Sequence, residues 1–465
     1  MSFKILKAKG LVSRALIIAP RNACYEVWDA TNPETDFQKY EDFKDLTTAI
    51  AHDRNMEKAL ASDADFTVMT PEGLSRFVDE VLDNKGHVRR YLKKEFRGDW
   101  PWDVLVIDES TSFKHSSTVR SKRLSILLRL FSRRYILTGG INPNGYMDLF
   151  GQIYIIDEGR TLGKYVTHYR NRFFTPSGYG GFDWKLQPGA EKKIQKAIAP
   201  VAFYVDDEKE LGLPPLIEVN RTVSLPGKAR LVYEKVENEF FALIDKGSVT
   251  AVNAGAKSSK LRQLATGCVY LDGDEDPRRS IEERKWAVVH DEKFSALGDL
   301  VEEYGGRPLL VGYEFSHERI AAQKFLKKEF KLDAPHVGGD VPPKRAREIF
   351  AAFNDGKLPV LFGQYQTVSL SLNLQRGGRG VVMLTVPWDY ELYDQFIRRV
   401  RRQGQAHSIT VHRIVARETT DFAVLDAIEK KGQTQRSFMD ALRRYGERVR
   451  GRGRITPLKP GPRGV

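Results

Sequence analysis

Two stretches of this sequence carry residue types that could do chemistry. The first is Asp103–Ser110, D-V-L-V-I-D-E-S. A short apolar, largely β-branched run ends in two adjacent acids and a serine. Such a run reads as a buried parallel strand, stopped where polar groups must face a ligand. In open α/β sheets ligands bind beyond the carboxyl ends of the strands, and Asp108 and Glu109 stand at that end. An aspartate there can hold a nucleotide-bound Mg2+, and a neighbouring glutamate can align or deprotonate an attacking water. A helix N-cap, in which Asp or Ser satisfies orphan N–H groups, accounts for the same residues without chemistry. The second stretch is Gln395–Gln405, Q-F-I-R-R-V-R-R-Q-G-Q. Arg399 and Arg402 are three apart, so a helix through both would place them on one face. Two guanidinium groups on one face can clamp phosphate oxygens. A solvated basic helix, or one that grips DNA phosphates, explains the spacing equally well.

The elements that must position these residues alternate along the chain. Met1–Gly10 reads as a helix and Arg14–Pro20 as a buried strand closed by a proline. Phe66–Thr70 is a second strand, with a helix starting at Pro71, and residues 84–100 are basic and exposed. After Asp103–Ser110 come a helix around Val119–Leu130 and a strand over Arg134–Gly139. This alternation predicts a doubly wound parallel sheet. Residues 145–215 are less regular, with a glycine loop at Gly178–Gly181 and a boundary near Leu213–Pro215, and residues 227–268 look helical. A second series begins near Lys293. It has strands at Pro308–Val311, Leu358–Phe362, Gly380–Leu384 and Thr410–Val415, and helices over Ser316–Phe330, Lys344–Asn354, Tyr390–Arg402 and Thr420–Lys431. The division expected is a first lobe over 1–215, a helical link over 216–290, a second lobe over 291–445, and a disordered basic tail over 446–465.

Composition narrows the class. Lys plus Arg is 74 against 61 for Asp plus Glu in 465 residues, a net charge of +13. That surplus suits a polyanionic partner, most simply nucleic acid. The two cysteines, Cys24 and Cys268, give neither a disulfide framework nor zinc-ligand spacing, which fits a reducing cytoplasm. No apolar run approaches the ~18 residues of a membrane helix, so no membrane role is expected. The basic run Arg443–Arg454 reads equally as a phosphate-binding segment or a solvated tail. Phe173, Phe174, Tyr179 and Trp184 flank the glycine loop and read first as packing residues, second as a base-stacking platform.

Taken together, the chain resembles the two-lobed motor of superfamily two helicases, in the Swi/Snf-like branch that includes small bacteriophage and prophage ATPases. Asp108-Glu109-Ser110 is similar to that family's motif II and Leu137-Thr138-Gly139 to its motif III. Asn142–Asp157 resembles the segment after motif III in phage members. Leu261-Arg262-Gln263 and Thr266-Gly267 resemble the segment before the second lobe. Leu372–Gln375 is similar to the core of motif V. Gln395, Arg399, Arg402, Gly404 and Gln405 match motif VI, Q-x-x-x-R-x-x-R-x-G-Q. These matches run in order along nearly the whole chain.

The resemblance implies an α/β protein of two RecA-like lobes that drives a translocase along double-stranded DNA with ATP and Mg2+. On that scheme Asp108 coordinates the Mg2+ and Glu109 activates water. Arg399 and Arg402 reach the transferring phosphate, and Gln395 and Gln405 bind the nucleotide. Pro20, Arg21, Thr138 and Asn373 lie where the family meets DNA, mainly its phosphate backbone, so little sequence preference is expected. The role implied is phage replication or recombination in the bacterial host cytoplasm. The sequence also departs from the family. It contains no G-x-x-x-x-G-K-[S/T], the loop that cradles the β- and γ-phosphates. Gly140 and Ile141 stand where Thr-Pro is usual, and Ser369 and Ser371 where glycines are usual. The first lobe is therefore expected to be incomplete at its N-terminus. Three explanations compete: a truncated start, a separate polypeptide that supplies the strand and loop, or a motor fold that no longer hydrolyses ATP. The competing function is a nucleotide-independent DNA-binding or assembly protein.

Overall fold

The computed structural model describes residues 2–33, 35–140, 145–177, 183–203, 212–245, 251–271, 284–368 and 373–432. The described residues fall into two compact units, Met1–Val205 and Asp206–Gly432. The glycine loop Gly178–Gly181 with Tyr179, the charged turn Asp272–Arg279, Asn142, Ile141, Ser369, Ser371, Leu372, the run Arg443–Arg454 and the tail Gly446–Val465 lie outside the described residues.

The first unit is built on a five-stranded parallel sheet. Its strands are β1 (Ala15–Ile18), β2 (Thr48–Ala51), β3 (Phe66–Met69), β6 (Val104–Asp108) and β7 (Arg133–Leu137), in the order β2-β3-β1-β6-β7. Central strand β1 is buried along its whole length, as its A-L-I-I run requires of a strand covered on both faces. Alternate residues serve the two faces. Leu16, Ile18, Leu105 and Ile107 enter one core with Leu124, Leu127 and Trp102. Ala15, Ile17, Val68 and Val104 enter the other with Phe37 and Phe66. β7 is an edge of the sheet, and Tyr135 and Leu137 on it are exposed. The basic stretch 84–100 supplies β5 (Val88–Leu92), which forms an antiparallel hairpin with β4 (Val78–Leu82). The stretch expected to be irregular holds helices Leu149–Asp157, Val166–Phe173 and Ala190–Ile198. They have their own core around Phe150, Tyr169 and Ile194, beside the hairpin β8 (Phe174–Ser177) and β9 (Asp183–Leu186). Phe173 and Phe174 are buried in that core, so packing is their role.

The second unit holds a six-stranded parallel sheet. Its strands are β10 (Leu216–Val223), β13 (Leu309–Tyr313), β14 (His336–Val337), β15 (Val360–Gln364), β16 (Gly380–Met383) and β17 (Ile409–Ala416), in the order β10-β17-β16-β13-β15-β14. β10 corrects the expected division. Residues 216–290 are not a separate helical link, because Leu216–Val223 pairs along its full length with β17. Period-2 alternation with polar outer residues (L-I-E-V-N-R-T-V) marks an edge strand, a weaker signal than a continuous apolar run. The helices Gly227–Asp245 and Ala251–Thr266 come next in the chain, then the antiparallel pair β11 (Cys268–Tyr270) and β12 (Trp286–Val288). The fold is thus two RecA-like α/β units, each a parallel sheet flanked by helices. Among the described residues no helix is long and apolar enough to cross a membrane.

Buried polar groups tie the returning segment to the second sheet. Arg262 bonds Glu314, just past β13, and the carbonyl of Val386, just past β16. Thr266 Oγ1 meets Thr385 Oγ1 at 2.7 Å, and Thr385 donates to Glu318 Oε2 at 2.6 Å. Fully buried His317 stacks on Tyr270, with ring centroids 4.2 Å apart. Burial pushes the His317 imidazole down to about 3. The unfolded chain binds that proton near pH 6.5 and the folded one does not. Stability contributed here is therefore whole above pH ~6.5 and is lost as pH falls toward 3, at up to ~1.4 kcal/mol per pH unit. Urea midpoints measured from pH 7 to pH 4 should fall less steeply for His317→Gln than for the parent chain.

Candidate functional site

In the first unit the candidate residues sit at one end of the sheet because the strands are parallel and in register. Ile18 pairs with Ile107, and Asp108 with Leu137. The residues after β1, β6 and β7 therefore emerge at the same edge: Pro20 and Arg21, then Glu109, then Thr138. Pro20 precedes the helix Arg21–Glu26 and accepts the Cys24 amide at 3.0 Å, while the Arg21 side chain is exposed. Thr138 Oγ1 bonds both the amide and the carbonyl of Gly140, closing its own turn.

Asp108 is the last residue of β6, and its Oδ2 accepts the indole N–H of Trp28 at 3.0 Å. Its charge reaches further. The Cys24 thiol is pushed up to about 12, first by burial and next by the negative charge of Asp108. Glu109 takes the left-handed conformation, φ +54°. A non-glycine residue there costs about 1–3 kcal/mol and persists only where its surroundings hold it. The turn Ser110–Phe113 beyond it takes no side-chain cap from Glu109. Ser110 instead directs its buried hydroxyl to Gln152 Oε1 at 2.7 Å, and Gln152 Nε2 donates to the Asp148 carbonyl at 3.0 Å. A Cβ on Gly151 would run into the carbonyl oxygens of Phe113 and Lys114. The helix Leu149–Asp157 is thereby fastened directly onto the loop that leaves the acidic pair.

The second unit gathers the other candidates. The helix that carries Gln395 spans Tyr390–Arg398, with Asp389 Oδ1 capping the Glu391 amide at 2.9 Å. It stops four residues short of the expected Arg402. Arg399 and Arg402 therefore do not share a helix face: Arg399 is the C-cap and Arg402 lies in the turn before Gly404, whose φ is +92°. The two arginines are held by different partners. Arg399, only 9% exposed, sends Nε to the Gln395 carbonyl at 3.1 Å. Its own carbonyl accepts the Leu374 amide at 2.9 Å. Arg402 Nη1 donates to Asn373 Oδ1 at 2.6 Å, and Asn354 Nδ2 holds the Asn373 carbonyl at 2.8 Å. Gln395 Nε2 donates to Glu391 Oε1 at 3.2 Å.

Gln405 has a different task from the nucleotide contact expected of it. Its amide nitrogen lies 2.9, 3.2 and 3.1 Å from the carbonyl oxygens of Gln375, Gly378 and Val400. Its oxygen accepts the His407 amide at 3.0 Å. At 6% exposure this side chain is spent on backbone groups of its own surroundings. Sequence reading missed Trp28, Gln152 and Asn354. The bonds Trp28–Asp108, Gln152–Ser110 and Asn354–Asn373 each join separate segments of one unit and so leave no spacing signal in the sequence.

The residues present fit part of a Mg2+-nucleotide site. Within the first unit, a carboxylate at a strand end and a neighbouring acid in a fixed loop suit a hydrated divalent ion; within the second, taken by itself, the buried Arg399 suits phosphate oxygens. The glycine-rich loop and lysine that cradle the β- and γ-phosphates are not among the residues of this sequence.

The chain is similar to several known proteins. Residues 292–404 match the family described as Helicase conserved C-terminal domain. "Putative protein p41" of Acyrthosiphon pisum secondary endosymbiont phage 1 is 32% identical over 358 residues, 74% of this chain and 74% of its own length. "Putative helicase 172L" of Invertebrate iridescent virus 6 is 21% identical over 411 residues, 75% of this chain and 63% of that protein. The CHD3-type chromatin-remodeling factor PICKLE of Arabidopsis thaliana is 20% identical over 352 residues, 71% of this chain and 23% of that protein. Among solved structures, the Sulfolobus solfataricus SWI2/SNF2 ATPase core in complex with dsDNA is 18% identical. Its TM-score is 0.38, over 98% of this chain and 89% of that one. The match to the phage protein spans most of both chains, and the helicase match falls on the unit that carries the arginine pair. The chain belongs to the Swi/Snf-like helicase family, in its phage type.

Proposed function

We propose that this chain is the motor of an ATP-dependent translocase on double-stranded DNA, acting in phage replication or recombination in the host cytoplasm. The observation that carries the reading is the acidic pair Asp108-Glu109 at the carboxyl end of an interior parallel strand. Bound Mg-ATP would supply the phosphoanhydride whose cleavage powers movement. Asp108 would hold the Mg2+ of that nucleotide. Glu109, fixed by its turn, orients the attacking water and accepts its proton. Arg399, anchored through Nε, and Arg402, bonded to Asn373, would offer guanidinium N–H groups to phosphate oxygens. Pro20, Arg21, Thr138 and Asn373 meet the DNA backbone. The net charge of +13 supports a polyanionic partner.

On this reading the phosphate-binding loop comes from residues outside this sequence, upstream or on a separate polypeptide. Among the described residues β7 is an edge of its sheet, which leaves room for that arrangement. A parallel strand added there would end beside Leu137, two strand spacings or roughly 10 Å from Asp108, so the loop after it would reach the acidic pair. The second reading, a DNA-binding or assembly protein indifferent to nucleotide, is favoured by one observation, the lack of G-x-x-x-x-G-K-[S/T] in the sequence.

Steady-state ATP hydrolysis with and without duplex DNA separates the two. The chain by itself should turn over several orders of magnitude below a complete motor, because the loop's amides and lysine stabilise the transition state. With a strand-and-loop polypeptide added, hydrolysis should appear, rise with duplex DNA, and fall by roughly 10^3 in Arg399→Ala. No recovery under any arrangement, with DNA binding unchanged by ATP, would establish the second reading. On either reading, affinity for duplex DNA should drop by roughly 10^3 between 50 and 200 mM salt. Fluorescence anisotropy with two unrelated sequences should give the same log–log slope for both.

A further inference from the structure

We propose that Trp28 is a positioning residue for Asp108, its indole N–H fixing the orientation of the carboxylate that receives the metal. This rests on the reading of Asp108 as the Mg2+ holder. The contact is specific: Trp28 Nε1 lies 3.0 Å from Asp108 Oδ2, across 80 residues of sequence. Both ends are rigid. Asp108 closes a strand paired on both sides, by β1 and β7. Trp28 lies just past the helix Arg21–Glu26, and its amide returns to the Ala23 carbonyl at 3.1 Å. Two residues on, the Ala30 amide is held by Thr48 Oγ1 at 2.8 Å. The indole ring leans on Phe37 and Phe66, each with its centroid 6.4 Å away.

The chemistry of the donor suits this task. The terminal torsion of an aspartate is broad, so the carboxylate of a strand-end aspartate does not choose an orientation by itself. A hydrogen bond to one oxygen chooses it. An indole is a donor only and carries no charge. It therefore pins the carboxylate without repelling a cation, as a lysine or arginine in the same place would. Groups that orient metal-binding carboxylates in this way commonly change metal affinity about 10–100-fold when removed. If the ring were there only to fill the core around Phe37 and Phe66, an apolar ring would serve as well and the N–H would have no consequence.

The test titrates the full chain with Mn2+ alone and monitors water-proton relaxation enhancement, a readout independent of turnover. Parent chain, Asp108→Asn and Trp28→Phe are compared. A second replacement at position 28 by benzothienylalanine keeps the shape of the indole and loses only the N–H, which serves if the phenylalanine variant does not fold. The expected result is a Mn2+ site that Asp108→Asn abolishes and that either Trp28 replacement weakens ~10-fold. Unchanged affinity in the donor-free variants, with the site still lost in Asp108→Asn, overturns the role of Trp28 and leaves Asp108 as the metal holder. No Mn2+ site in the parent, or one indifferent to Asp108→Asn, overturns the metal reading and this inference with it.

Discussion

The first unit depends on the parallel ladder that joins β1, β6 and β7. Parallel pairing sends every strand the same way, and its register places Ile18 beside Ile107 and Asp108 beside Leu137. The chain must then leave all three strands at one edge, where backbone groups lose their ladder partners and polar side chains can meet a ligand. Pro20, Glu109 and Thr138 share that edge for this reason alone. The left-handed backbone at Glu109 is a local cost of turning sharply out of β6, and the Ser110–Gln152 bond with the close approach at Gly151 holds the turn in place.

The second unit solves a different problem. Its candidate arginines lie in irregular chain, where no ladder fixes position. Side-chain amides do that work: Asn354 and Gln405 between them hold backbone groups from Asn373 to His407. Each such bond contributes only about 0.5–1.5 kcal/mol, but leaving its buried partner unsatisfied costs more. The arrangement is therefore specified more strongly than it is stabilised. The same logic applies to fully buried Lys293, whose Nζ lies 2.7 Å from Asp421 Oδ2 and 3.1 Å from the Leu384 carbonyl. Buried ion pairs are poor stabilisers but unforgiving ones, because removing one partner strands the other.

Family and chemistry meet in a limited set of residues. The acidic pair ends an interior strand of the first unit, and the arginine pair lies within residues 292–404 of the second, the stretch that matches the helicase C-terminal family. Trp28, Gln152 and Asn354 surround those stretches and give them geometry.

Pattern along the chain was enough to specify the alternation of elements and the buried strands, because a run such as A-L-I-I or V-L-V-I-D is apolar enough to demand a two-sided interior position without knowledge of its neighbours. The net charge, the acidic pair at a strand end and the spacing of the arginines were legible in the same way. Three features came only from folding in three dimensions. Strand β10 alternates apolar with polar residues and becomes a sheet edge only because β17 is there to pair with it. The helix under Gln395 ends at Arg398 although its sequence runs on, since the last turn is taken up by bonds to Asn373 and Leu374 from a separate segment. Gln405 carries a motif letter in the sequence but a structural duty in the fold, because three carbonyl groups from two different loops converge on it. Local composition sets where apolar surface must be hidden, whereas a hydrogen-bond partner far along the chain leaves no periodic trace in it.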